Sequence, residues 1–176
     1  MVSKDKMHDA ADDRESVLRE VTSKALVFGE KSAKNVPPEI FSDLVMHDYF
    51  LFFIYGAVDA LGDDESLKEK LTAAEKLATM AETMVAFGTA TEEQIVATVK
   101  LLDRAVDDAA LTIKSAGREA AIDWAWGENE QATERFAALL EDPTNFPREV
   151  EQVLKPREPA AETSRPPGND DFDIIK

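Results

Sequence analysis

The sequence predicts an all-α protein, a compact bundle of five or six helices with disordered N- and C-terminal tails. Three observations predict it. Apolar residues recur at alternating steps of three and four, the period of one helix face. No run of alternating β-branched residues bounded by turns offers a strand. The 7 glycines and 8 prolines in 176 residues fall mainly between the periodic segments, where they punctuate helices. Residues 1–11 read as a disordered leader, 12–154 as the bundle, and 155–176 as a disordered proline-rich, acidic tail.

The first helix is predicted from the Asp12-Asp13 pair to about Lys34. Val17, Val21, Ala25 and Phe28 form its apolar face, widened by Leu18. "NVPPE" stops it, and Pro38 suits the first turn of the next helix. That second helix is predicted from Pro38 to Leu61. Its first half is amphipathic. Its second half, from Tyr49 on, is apolar around nearly the whole circumference, with Phe50, Phe52, Phe53 and Tyr55 among its side chains. Asp48, Phe52, Tyr55 and Asp59 share one strip at helical spacing. A helix apolar on all sides must be enveloped by others or by a second copy of the chain. A shared dimer core is therefore the alternative to full envelopment.

"GDDES" is the next break, with Gly62 as C-cap and Asp63 or Asp64 as N-cap. A third helix follows to about Phe87, its seam running through Leu67, Leu71, Ala74, Ala78, Ala81 and Val85. "TEEQ", from Thr91 to Gln94, has the form of a capping box and opens a fourth helix. Gly117 either ends that helix or bends it, and helical character continues to Gly127. Glu128 to Glu141 reads as a short helix, and Pro147 to Leu154 as a last amphipathic turn or two.

Composition limits function. The chain carries 20 basic and 36 acidic side chains, a formal charge of −16. Such a surface repels nucleic-acid backbones, so direct nucleic-acid binding is not expected. It favours a basic protein partner. There are no cysteines, which removes disulfides, thiolate metal sites and thiol nucleophiles. The first residues have no apolar stretch of the secretory type. The longest apolar run, Tyr49 to Val58, is short against the ~20 residues that span a bilayer. A cytoplasmic protein without a membrane anchor is expected.

One row of side chains has ligand chemistry. Glu39, Asp43 and His47 follow at i, i+4 and i+8, and would align along one helix as metal ligands, with Asp48 beside them. His47-Asp48 also resembles the His-Asp pair of the HD-domain phosphohydrolases, all-helical enzymes that use such a pair around metal. His8 is the only upstream histidine that could complete that pattern. Arg104 resembles the arginine of the HEPN ribonuclease motif, but Ala109 stands where the motif needs histidine. The i, i+4 pairs Asp103/Asp107 and Glu119/Asp123 do not reproduce the magnesium motifs of the all-helical nucleotide pyrophosphohydrolases. No phosphate loop or nucleophile elbow is present, and no cofactor is implied.

The chain end carries a different signal. "NDDFDIIK" sets Phe172, Asp173, Ile174 and Ile175 beyond a polar, proline-rich stretch. It resembles the acidic-apolar C-terminal peptides of single-stranded-DNA-binding proteins and of the division protein FtsZ, which recruit partners through a tether. Trp124 and Trp126 lie on nearly opposite sides of a helix, so one can enter the core while Trp126 stays available to a partner. The leading expectation is a non-catalytic interaction protein of adaptor, chaperone or immunity type. A metal-dependent hydrolase built on Glu39, Asp43 and His47 is the second, and an acidic mimic of nucleic acid the third.

Overall fold

The computed structural model describes residues 4–67, 69–87, 93, 94, 96, 97, 100 and 108–146, with side chains from residue 13 onward. The protein is all-α. Five α-helices are described: α1 (Lys4–Lys34), α2 (Leu44–Gly62), α3 (Ala73–Ala86), α4 (Asp108–Ala125) and α5 (Arg135–Leu140). Short 3₁₀ turns at Pro38–Ser42, Glu130–Glu134 and Pro143–Asn145 connect or extend them. The predicted start of the fourth helix at Thr91, the turn after Pro147 and the tail 155–176 lie outside the described residues.

Helix α1 starts at Lys4, before the Asp12-Asp13 pair, and so takes in most of the predicted leader. Its first residues contain neither proline nor glycine, lysine, methionine and alanine among them favour helix, and the early aspartates suit its N-terminal end. The predicted second helix is two elements. Pro38–Ser42 winds as 3₁₀, Asp43 is extended (φ −92°, ψ 121°), and α2 begins at Leu44. The Asp43 carboxylate caps α2, accepting hydrogen bonds from the amides of Val45 and Met46, each at 3.0 Å.

Helix α3 starts later than the "GDDES" break suggested. Thr72 and Glu75 form a capping box that opens it. The stretch before it packs as a loop, with the Leu71 amide donating to the Gly62 carbonyl at 2.8 Å. Arg14 of α1 clasps this junction. Its Nε donates to Glu75 at 2.7 Å, and its terminal nitrogens reach the carbonyls of Glu69 (3.0 Å) and Lys70 (3.1 Å).

Helix α2 is the centre of the core. All its side chains from Tyr49 to Val58 are buried. Aromatic rings connect it to its surroundings. Phe53 meets Phe28 of α1 (5.8 Å between centroids) and Phe136 of α5 (5.3 Å), while Phe50 meets Phe41 edge-on at 5.0 Å. Rings in such offset and edge contacts add to what their buried area contributes.

The most extensive pairing is α2 against α4. Two glycines make it. A Cβ on Gly56 would lie 1.9 Å from the Lys114 carbonyl oxygen, and one on Gly117 would lie 1.9 Å from the Phe53 carbonyl oxygen. The two backbones therefore touch reciprocally. Gly117 neither ends nor breaks α4, which runs through it. A mid-helix glycine costs up to about 1 kcal/mol relative to alanine. Here the close approach offsets that cost.

Taken by length and composition, α2 would suffice to cross a membrane, so the length argument from its apolar run alone does not hold. What places the helix is packing: 72% of its apolar window is buried within the fold.

Two predictions follow from these contacts. Gly56→Ala and Gly117→Ala should each lose roughly 3 kcal/mol in urea denaturation, the upper range of overpacking costs. Gly29→Ala, whose Cβ would clash only with the movable tip of the Phe87 ring and touch Ile54 at ordinary contact distance, should stay within about 1 kcal/mol of wild type. Equal losses at all three would place the constraint elsewhere. The second concerns Glu75, whose carboxyl is held down to about 2 by Arg14 and by the Thr72 amide and hydroxyl. Its folded value lies below its ordinary 4.5, so its contribution is complete above 4.5 and is lost as pH falls towards 2. Between about pH 5 and pH 2, Tm should fall more steeply for wild type than for Glu75→Gln. Parallel curves would remove the clasp from the account of acid stability.

Candidate interaction surface

The row Glu39–Asp43–His47 is not assembled. Glu39 sits on the 3₁₀ turn, Asp43 in extended backbone, and His47 in the first turn of α2. The continuous helix that would align them is absent, because the Asp43 carboxylate serves as the cap of α2 instead. Among the described residues, no group of three His, Asp or Glu side chains converges as metal ligands. His47 is half-buried, and Asp48 beside it is pushed up by burial, with the field of His47 partly opposing. The side chain of His8, and residues Arg104, Asp103 and Asp107, lie outside what is described. Glu119 and Asp123 are exposed, and Glu119 pairs with Arg135 at 3.5 Å.

The strip Asp48–Phe52–Tyr55–Asp59 ends in a charge cluster. Lys76 of α3 donates to Asp59 and to Asp63, both at 2.7 Å. Arg118 of α4 reaches the other oxygens of the same two carboxylates at 3.2 and 3.0 Å. Lys114 lies 3.7 Å from Asp59 and over the Tyr55 ring at 4.3 Å, a cation–π contact. Desolvation would lower Lys76, whose side chain is 10% exposed, but the two carboxylates outweigh it and raise its pKa. Desolvation likewise pushes Asp63 up, and Lys76 and Arg118 pull it below its usual range. Sequence reasoning missed Lys76, Lys114 and Arg118. The i, i+4 pairs Asp59/Asp63 and Lys114/Arg118 were signals of matching acidic and basic strips on two helices.

The two tryptophans divide as their spacing predicts. Trp124 turns towards Phe28 (5.5 Å) with Lys31 above it at 5.8 Å. Trp126 is 45% exposed, and Ile122, one turn earlier, is 40% exposed. These two share the last face of α4 at i, i+4. Burial would raise the nearby Asp64 carboxyl, but hydrogen bonds from Ser66, the field of Lys24 and a hydrogen bond from the Trp126 indole pull it down. A second apolar exposure lies at the start of α2, where Leu44 is 75% and Val45 49% exposed. Phe172, Asp173, Ile174 and Ile175 lie outside the described residues.

No family model, curated protein or solved structure matches the chain. The functional reading therefore rests on these surfaces alone.

The charge cluster has a measurable role in stability. Breaking a buried ion pair from one side costs roughly 3–5 kcal/mol, because the partner is left uncompensated. Asp59 and Asp63 keep some water contact, so Lys76→Met should cost less, about 2 kcal/mol. The double variant Asp63→Asn, Lys76→Met removes one charge of each sign and leaves Asp59 facing Arg118 and Lys114, so it should recover part of that loss in thermal melts. A double variant weaker than Lys76→Met would show that Asp63 stabilises the fold without its lysine.

Proposed function

We propose that this protein is a non-catalytic interaction protein, of adaptor, chaperone or immunity type. It holds a protein partner through the Ile122–Trp126 face and through the tethered acidic-apolar motif Phe172, Asp173, Ile174 and Ile175. The observation that carries this reading is the exposed Ile122–Trp126 pair at the end of α4. Tryptophan is among the residues that most often dominate binding energy, and an apolar neighbour one turn away gives it a surface to share. The polar groups that come together in the fold support the same reading. Asp59 and Asp63 are engaged by Lys76 and Arg118, Glu75 by Arg14, and Asp43 by two amides. The formal charge of −16 favours a basic partner, and a chain without cysteine suits a reducing compartment such as the cytoplasm.

The test is affinity purification from the native cells with the C-terminus left untagged. Wild type is compared with Trp126→Ala and with a chain lacking residues 170–176. A partner recovered with wild type should fall about 30-fold with Trp126→Ala, the effect of truncating a hot spot of about 2 kcal/mol. It should also fall with the truncated chain. Identical recovery from all three proteins would sink the proposal.

A further inference from the structure

Helix α3 is attached unlike α2. Its buried side chains are Lys76, Thr79, Met80, Thr83 and Met84, so its inner face holds polar groups where α2 buries an unbroken apolar run. α3 contains no aromatic residue, and the ring contacts of the core bypass it. The Thr83 hydroxyl donates to the Thr79 carbonyl at 2.8 Å, within the helix, and adds nothing to the contact with α1 and α2. The Thr79 hydroxyl is buried and has no hydrogen-bond partner among the described residues. Water supplies a partner once α3 lifts away, so this hydroxyl favours the open state. Polar ties fasten the rim. Arg14 holds Glu75, the Thr22 hydroxyl donates to Glu82 at 3.2 Å, and Lys76 donates to Asp59 and Asp63. Water can take over these bonds on opening. At the C-terminal end the Phe87 ring rests against Gly29.

We propose that α3 opens as a unit while α1, α2, α4 and α5 stay folded, with the unsatisfied Thr79 hydroxyl easing the opening. Proteins open locally in cooperative units, and elements with few buried apolar contacts open first. Opening α3 leaves in place the backbone contacts at Gly56 and Gly117, which α2 and α4 make with each other. It also leaves in place the packed rings of Phe28, Phe50, Phe53 and Phe136. Met80 and Met84 are withdrawn from the core. Lys76 leaves Asp59 and Asp63, which keep Arg118 and, at Asp59, Lys114. The result is a second conformation that presents the sides of α1 and α2 on which α3 lies. This opening does not rest on the partner reading, and its test alters neither Trp126 nor residues 170–176.

Hydrogen exchange of the full-length protein tests it, followed amide by amide where reclosing outpaces exchange and corrected for intrinsic rates. The amides of Met80, Thr83 and Met84 should exchange at least ~tenfold faster than those of Ile54 in α2 and Ala121 in α4. Two variants separate opening of α3 from unfolding of the whole. Ile113→Val trims a fully buried side chain of α4 and should speed exchange in α2 and α4 about fivefold while leaving α3 unchanged. Thr79→Val keeps the shape, removes the unsatisfied hydroxyl and should slow exchange in α3 about fivefold. Circular dichroism checks that both variants are folded. Wild-type rates in α3 equal to those of α2 and α4 would overturn the proposal. So would α3 rates that rise with the others in Ile113→Val, or that fail to slow in Thr79→Val.

Discussion

The backbone contacts at Gly56 and Gly117 set the spacing on which the rest of the fold depends. Each glycine lets a carbonyl of the other helix occupy the place where a Cβ would stand. The α2 and α4 backbones are thereby drawn together along the most extensive pairing in the molecule. Once α4 lies flush on α2, the other sides of α2 are left to bulkier groups. Phe28, Phe136 and Phe41 meet Phe53 and Phe50 there, so ring packing follows from the spacing that the glycines allow. Dense interiors tolerate little change in volume, which makes such a contact a rigid reference point.

The two ends of α2 solve opposite problems. At its C-terminal end, Asp59 and Asp63 lose part of their hydration and regain it as contacts to Lys76 and Arg118 from two different helices. Those cations hold α3 and α4 in register at the same point. At its N-terminal end, Asp43 stops the preceding 3₁₀ turn and starts the helix, while Leu44 and Val45 remain in solvent. One end is closed by charge within the described residues, and the other presents an apolar face.

The fold class was legible because helical periodicity and the lack of strand patterns are local properties. The burial of Tyr49 to Val58 was legible for the same reason: a helix apolar all round has no solvent face to offer. Boundaries were less so. Thr72 and Glu75 carry a capping-box spacing, but the apolar steps through Leu67 and Leu71 read as continuous helix across it. The metal row failed at Asp43, where capping competed with helix continuity. The glycine contact and the charge cluster were not legible, because periodicity tells which face is buried and not what meets it. Asp59 and Arg118 are 59 residues apart in the chain. That Trp124 and Trp126 face opposite ways was legible from their offset of two, while Ile122 beside Trp126 was not singled out.

Trp124 and Trp126 also give the molecule two optical reporters only two residues apart. The indole of Trp124 is partly enclosed by Phe28 and Lys31, and that of Trp126 is 45% exposed with its N–H bonded to Asp64. Indole emission shifts to the red as water gains access. The chain should therefore emit as the sum of a bluer and a redder component from one short stretch of backbone. Replacing either tryptophan by phenylalanine would leave a single-colour protein: one reporting on the integrity of the core, the other on whatever settles at the end of α4.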